Sequence, residues 1–348
     1  MADLAARARR LSVPIEAVEL CAGLVDLHVI PELGRRWLGL NPAQDRGDSR
    51  WPRPFFGHVD WPRLRAAGVG AVGYDWTPSP FGQGERRWSA LEAAFRFARA
   101  QVDATDGVRW ASVESALSDD ASLALMPTVQ GGHAFEAGLG ALDGPIGRWL
   151  TRVTLVHLTR GPIGASSAPG GGSGGLTEMG CRLVDALVRN QIAVDLAHAS
   201  PRTFDDALRE VPLHLPVVVT HTGASDVRPH WRNVTRAQVR AIADRGGVVG
   251  VMLHGPFLAR WPCPGPEVVA DHVEALRQAG GAQVVALGSD FDGFILPVHG
   301  LHGADHWPRL TAALLRRGWS ADEVRGLVCD NWRRTWRRIR PPATYVAA

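Results

Sequence analysis

The chain repeats one short pattern along its length, and that repetition leaves few folds open. Apolar, β-branched runs recur at 24–28, 69–74, 123–130, 153–157, 193–198, 217–221, 248–254 and 284–290. Between and after them lie stretches with helical periodicity, at 90–102, 177–189, 200–209, 235–245, 266–279 and 320–337. A strand run followed by an amphipathic helix is the βα unit, whose strands pair in parallel. Eight such units predict an α/β architecture closed into a (β/α)8 TIM-type barrel, and 348 residues suit one such domain with extended loops after its strands. The organisation read from the sequence is a single domain over 1–348, with an N-terminal extension at 1–20 and a C-terminal helix and tail at 320–348. Two connections are long. The 41–61 stretch is rich in Pro, Asp, Arg and Gly and reads as an excursion, while 161–175 ends in SSAPGGGSGG and reads as a flexible Gly-rich loop, either a lid or a tolerated insertion.

The residues that close these runs carry the chemistry. His28, His157, His198, His221 and His254 close five of them and Asp290 closes the eighth. With 13 histidines in 348 residues, eight random positions would hold about 0.3. Strand ends in a barrel converge on one mouth, and neutral imidazole is the commonest metal ligand. One strand-end histidine alone reads as a hydrogen-bonded structural residue, but several sharing a mouth with an aspartate point to a site. His58, His133 and His230 read as supports of structure or entry.

Composition removes several alternatives. All 38 basic residues are arginine, so a Schiff-base lysine, a P-loop lysine and a carbamylated lysine bridging metals are excluded, each needing an ε-amine. The net charge of +3 is mild, and arginine clusters only around Arg333 to Arg340, so nucleic acid is not the expected partner. Cys21, Cys181, Cys263 and Cys329 are widely spaced and read as reduced thiols. No apolar run reaches membrane-spanning length. The expectation is a cytoplasmic protein with a small-molecule substrate and no membrane partner.

A series of segments resembles the membrane (renal) dipeptidases, zinc metallopeptidases built on an amidohydrolase-type barrel. The segments are VDLHV (25–29), GHVDWPRLRAAGVGAVG (57–73), QGGH (130–133), LVHLT (155–159), GLTEMGCRLVDAL (175–187), VDLAHASPRTFDD (194–206), VVTHTG (218–223), RNVT (232–235), DRGGVVGV (244–251), GSDFDG (288–293) and CDNWRR (329–334). The resemblance implies metal-binding roles for His28, His198 and His221, a proton-shuttling catalytic role for Asp290, and substrate-holding and carbonyl-polarising roles for His157 and Arg232. It also implies two zinc ions sharing a water that becomes the nucleophile. Relatives are often dimers, and a homodimer stays open here.

Two departures alter that picture. Where the family's first strand carries an HxD pair that binds metal, this chain has Ile30, and where its third strand ends in a bridging glutamate, this chain has Gln130. Isoleucine has no ligand atom, and a neutral amide neither balances charge nor offers two equivalent oxygens. His28, His198, His221 and Asp290, with Gln130, then suit one zinc rather than two, or acid-base chemistry without metal. His254 is a further difference, a candidate substrate contact or a replacement for lost acid-base capacity. Three functions follow: a mononuclear hydrolase of dipeptides or related small amides; a barrel with changed chemistry on an amide, thioester or lactone of specialised metabolism; and an inactive binding descendant.

Overall fold

The computed structural model describes residues 2–47, 53–79, 84–113, 117, 122–260 and 265–341. Cys263, the 48–52 part of the 41–61 excursion and the end of the tail at 342–348 lie outside the described residues. Nine parallel strands are present: β1 (Leu24–Val29), β2 (Val69–Trp76), β3 (Val108–Trp110), β4 (Leu123–Gln130), β5 (Arg152–Thr154), β6 (Ala193–Asp195), β7 (Val219–Thr222), β8 (Val249–Val251) and β9 (Val285–Leu287). Eight of them follow one another in the order β6-β5-β4-β2-β1-β9-β8-β7. The ring is completed between β6 and β7, where Leu196 N–H donates to Val218 O at 2.8 Å and Val218 N–H to Val194 O at 3.1 Å. This is the TIM-type barrel expected from the sequence.

Burial on both faces explains why these runs are so uniformly apolar, since a parallel strand has barrel interior on one side and helices on the other. All eight residues of β4 are buried, as are all six of β1. The helices between them start where short hydroxyl side chains accept from the first turn. Thr177 caps Glu178–Arg189, Ser200 caps Pro201–Glu210, and Thr235 caps Arg236–Asp244 with Gln238 closing a reciprocal capping box. Two glycines allow β8 and β9 to lie against β7: a β-carbon on Gly250 would stand 1.9 Å from Thr220 O, and one on Gly288 1.8 Å from the same oxygen.

The structure differs from the sequence reading in three places. β3 is an addition, a three-residue strand pairing with the start of β4 (Val108↔Leu123). Strands β5, β6, β8 and β9 stop three residues before His157, His198, His254 and Asp290, so these groups stand on the first turn beyond the ladder. The 320–337 helix runs unbroken over 321–339 but carries a π-turn at Gly326–Asp330 between Ala321–Arg325 and Asn331–Ile339. The π-turn ends at Asn331, whose Nδ2 donates to Ala282 O and Val285 O. The Gly-rich 161–175 segment folds back on itself and the barrel: Ser166 N–H donates to Gly171 O and Ser167 N–H to His198 O at 2.7 Å.

The N-terminal extension forms helices Ala2–Leu11 and Ile15–Glu19, and the latter is tied to helix Trp307–Arg316 by Thr311 Oγ1 donating to Ala17 O. Cys21, Cys181 and Cys329 are free thiols. Among the described residues no helix is long and apolar enough to cross a membrane.

Candidate active site

Three imidazoles meet at the mouth of the barrel. Nε2 of His198 is 3.0 Å from Nε2 of His221, and the rings of His28 and His221 stack with centroids 3.7 Å apart and planes within 1°. The Gln130 side-chain nitrogen sits among them, 3.1 Å from His28 Nε2 and 3.2 Å from the Nε2 atoms of both His198 and His221. Thr77 holds this amide by donating its hydroxyl to Gln130 Oε1 at 2.8 Å. Asp290 completes the group, with Oδ1 3.6 Å from His28 Nε2. Among the described residues, His28, His221 and Asp290 form the one set whose ligand atoms all lie within 4.8 Å of one another.

The partners behind the rings decide which nitrogens face the centre. His28 Nδ1 is 2.6 Å from Asp75 Oδ2, which puts the ring proton on Nδ1 and the lone pair on Nε2. For His221, Nδ1 lies 3.0 Å from Thr220 Oγ1, and that hydroxyl already donates to Asp195 Oδ2 at 2.7 Å, so Nδ1–H is the donor. Two lone pairs therefore point at one place. The Gln130 amide has hydrogens for both of these lone pairs, and a cation in its place would be met by the same two. His28, His221 and Asp290 could hold a metal ion, with His198 Nε2 3.0 Å from His221 Nε2 beside them.

A buried charge cluster lies behind the histidines. Arg152 reaches Asp75 Oδ2 and donates to Asp195 Oδ2 at 2.7 Å. Thr154 Oγ1 donates to Asp195 at 2.6 Å. Burial pushes the Asp195 carboxyl up, but Arg152 and the Thr154 and Thr220 hydroxyls outweigh it and hold the group below its ordinary range. Asp75, Arg152, Asp195 and Thr77 are functional supports that the sequence reading missed. The available signal was a charged residue in or next to an apolar strand run, Asp195 within 193–198 and Asp75 and Arg152 bordering 69–74 and 153–157, since a buried charge needs a partner.

His157 packs edge-on against His198, with centroids 4.7 Å apart, and burial first, then the charges of His133 and Arg232, lower its pKa to about 3. It is a neutral imidazole. Arg232 is buried and donates from Nη2 to His221 O at 2.6 Å. Burial lowers its pKa to about 10, so the guanidinium stays charged at neutral pH. His230 supports it, its Nδ1 accepting from Arg232 N–H at 3.3 Å. Asp290 has φ +66°, and burial raises its carboxyl to about 6 against the lowering influence of His28 and Arg232. His254 makes a different set of contacts: its Nδ1 accepts from Leu296 N–H at 3.0 Å and its ring packs edge-on against Phe257.

His58 ties two loops together, and the His133 carbonyl accepts from Arg87 Nη1 at 3.1 Å. His58 exchanges hydrogen bonds with Asp292, its N–H donating to Oδ1 at 2.7 Å and its Nδ1 accepting from Asp292 N–H at 3.0 Å.

With the fold and site in view, comparison with known proteins is decisive. The family described as membrane dipeptidase (peptidase family M19) matches residues 32–345. The chain belongs to the membrane dipeptidase family. A fission-yeast (Schizosaccharomyces pombe) protein named as an uncharacterized dipeptidase is 30% identical over 233 residues, which is 64% of this chain and 55% of the yeast protein. The chain thus spans about half the length of that curated relative. Among solved structures, a metallopeptidase described as the dipeptidase AC of the same family is 26% identical with a TM-score of 0.78, covering 91% of this chain and 98% of its own. A metallopeptidase from Rhodobacter sphaeroides, solved with a phosphinate mimic of the dipeptide L-Ala-D-Ala, is 25% identical with the same TM-score of 0.78, covering 91% of this chain and 99% of its own.

Within this membrane dipeptidase fold, Ile30 and Gln130 have different surroundings. Ile30 is buried in a small apolar cluster with Leu33 and Phe56, and Gln130 is inside the histidine group. An ion held here would meet an amide at position 130 and a hydrocarbon at position 30, neither of which is an acidic ligand.

Proposed function

We propose that the chain is a hydrolase of dipeptides or related small amides that uses one zinc ion. The observation that carries this reading is the convergence of His28, His221 and Asp290, whose ligand atoms all lie within 4.8 Å of one another, with His198 Nε2 3.0 Å from His221 Nε2 beside them. His28, His198, His221 and Asp290 would hold the metal, with Gln130 beside it. Zinc in such a site supplies Lewis acidity and a water made nucleophilic near neutral pH.

The chain's own groups supply the rest. Arg232, charged and oriented by His221 O, would pair with the substrate carboxylate through its planar fork. Neutral His157 would donate a hydrogen bond to the carbonyl oxygen as negative charge develops there. Asp290 would take a proton from the attacking water and return it to the leaving amine.

The departures at Ile30 and Gln130 favour one second reading, the same pocket acting on an amide, thioester or lactone of specialised metabolism. The experiment that separates them is metal analysis of the purified chain followed by turnover of a panel of L,L- and L,D-dipeptides with added zinc. One zinc per chain and dipeptide turnover support the first reading. Two zinc ions overturn the one-metal site, and no metal with no peptide turnover moves the assignment to the second.

A further inference from the structure

An aromatic wall stands at the same end of the barrel as the histidines, and the mechanism does not use it. Trp37 and Leu38 are 57% and 60% exposed, Phe294 is 53% exposed and Phe55 37%. Phe55 and Phe294 stack with centroids 4.3 Å apart, and Trp37 meets Phe294 and Phe56 edge-on at 6.2 and 5.8 Å. Large apolar side chains grouped in water mark a contact surface rather than a solvated face.

The wall is built onto the site by the loops after β1 and β9. Trp37 lies on helix Pro31–Leu38, which begins directly after β1, and Phe294 follows Asp290 by four residues. Asp290, Asp292 and Phe294 have φ +66°, +60° and +62°, a backbone region that bulky residues rarely adopt. Phe55 fixes this turn by donating its N–H to Ile295 O at 2.8 Å.

Ile30 connects the two regions. A β-carbon placed on Gly293 would lie 2.4 Å from Asp290 Oδ1 and 3.1 Å from Ile30 Cδ1, so the carboxylate and the isoleucine methyl flank one point. Ile30 packs in turn with Phe56, and Phe56 meets Phe294 at 5.7 Å. Ile30 and Phe56 are buried, 2% and 9% exposed, so they back the wall from Asp290 outward, and its open face is formed by Trp37, Phe55 and Phe294.

We propose that the open face of this wall binds a large apolar group of the substrate, so that the preferred substrates are dipeptide-type amides whose amino-terminal residue carries an aromatic or long aliphatic side chain. The inference rests on the hydrolase reading for its orientation. Arg232 follows β7 and would hold the carboxylate, while His157, after β5, is four strands round the ring from Asp290 after β9. In the ring β7 is two strands from β9 and three from β1, so the wall, on the loops after β1 and β9, stands apart from Arg232 and beside the other end of the substrate. Ile30 then supports the wall from behind, filling with a hydrocarbon the position where the resemblance expects a charged ligand.

The test compares Phe-Ala with Ala-Ala, as kcat/KM of the full zinc-loaded chain, in wild type, Trp37→Ala and Phe294→Ala. The expected result is a wild-type preference for Phe-Ala of about tenfold, falling by about fivefold or more in each variant. A ratio near one in wild type, or a ratio that both variants leave unmoved, overturns the proposal. If the variants instead turn a dimer into a monomer on gel filtration with the ratio unmoved, the wall belongs to a second copy of the chain. Should wild type turn over neither peptide, the hydrolase reading fails, and calorimetric binding of the same pair decides the wall. Binding of Phe-Ala about tenfold tighter than Ala-Ala, lost in the variants, retains it, and equal or absent binding overturns it.

Discussion

Nδ1 of His28 lies 2.6 Å from Oδ2 of Asp75, and both side chains are fully buried. This contact orients the ring and keeps its proton on Nδ1, so that the lone pair is on Nε2, the atom that faces Gln130 and Asp290. Asp75→Asn keeps the shape and removes the charge. The expected outcome is a 10- to 100-fold loss in zinc affinity, read by competition with a chromophoric chelator. Unchanged affinity would show that His28 does not ligate through this pair.

The close approach of β9 to β7 predicts a second outcome. A β-carbon at position 288 would stand 1.8 Å from the Thr220 carbonyl, a backbone atom in the strand that carries His221. Neither strand has room to give. Gly288→Ala should lower stability by about 3 kcal/mol, seen as a lower denaturant midpoint with an unchanged slope.

Stability should also respond to pH through a histidine outside the site. His272 is buried, its Nδ1 accepting from Ala224 N–H at 2.8 Å and its Nε2 donating to Leu258 O at 2.9 Å. Burial lowers its pKa from 6.5 in spite of that donation and the charge of Asp271. A base with a lowered folded pKa binds fewer protons folded than unfolded. Its stabilisation is complete above pH 6.5 and falls as pH drops toward the folded value, by about 1.4 kcal/mol per unit. In His272→Gln, urea melts at pH 7 and pH 5 should differ by less than they do in wild type. An equal difference would remove His272 from the acid limb.

The site was legible in the sequence to the extent that its groups end apolar runs. His28, His198, His221 and Asp290 stand at strand ends, and the barrel brings such ends together whatever the loops do. Asp75, Arg152 and Asp195 were not legible, because a charge in or next to a strand run gives no hint of its partner, and these three come from β2, β5 and β6. Strand β3 was hidden for another reason: three residues are too few for a period to register. The extent of the ladders was overread for a third. His157, His198 and His254 follow their strands without a change in hydrophobicity, and only backbone hydrogen bonding separates the last ladder residue from the first turn.

The two departures from the family pattern can be reversed together. Ile30→Asp places a carboxylate beside Leu33 and Phe56, where without a cation it is a buried, uncompensated charge and costs several kcal/mol. Gln130→Glu adds a second carboxylate among the three imidazoles. The double variant should therefore be less stable than wild type in chelator and should recover with zinc. For an ion bound only by the folded chain, the gain is about 2.7 kcal/mol at 100 times the dissociation constant. Metal analysis should rise from one ion per chain to two, and the thermal midpoint should become strongly dependent on zinc concentration. A variant that stays at one ion, with a midpoint no more zinc-dependent than wild type, would mean that the loops after β1 and β4 have also moved away from a two-metal geometry. The loss of the second site would then lie in the backbone as well as in the two side chains.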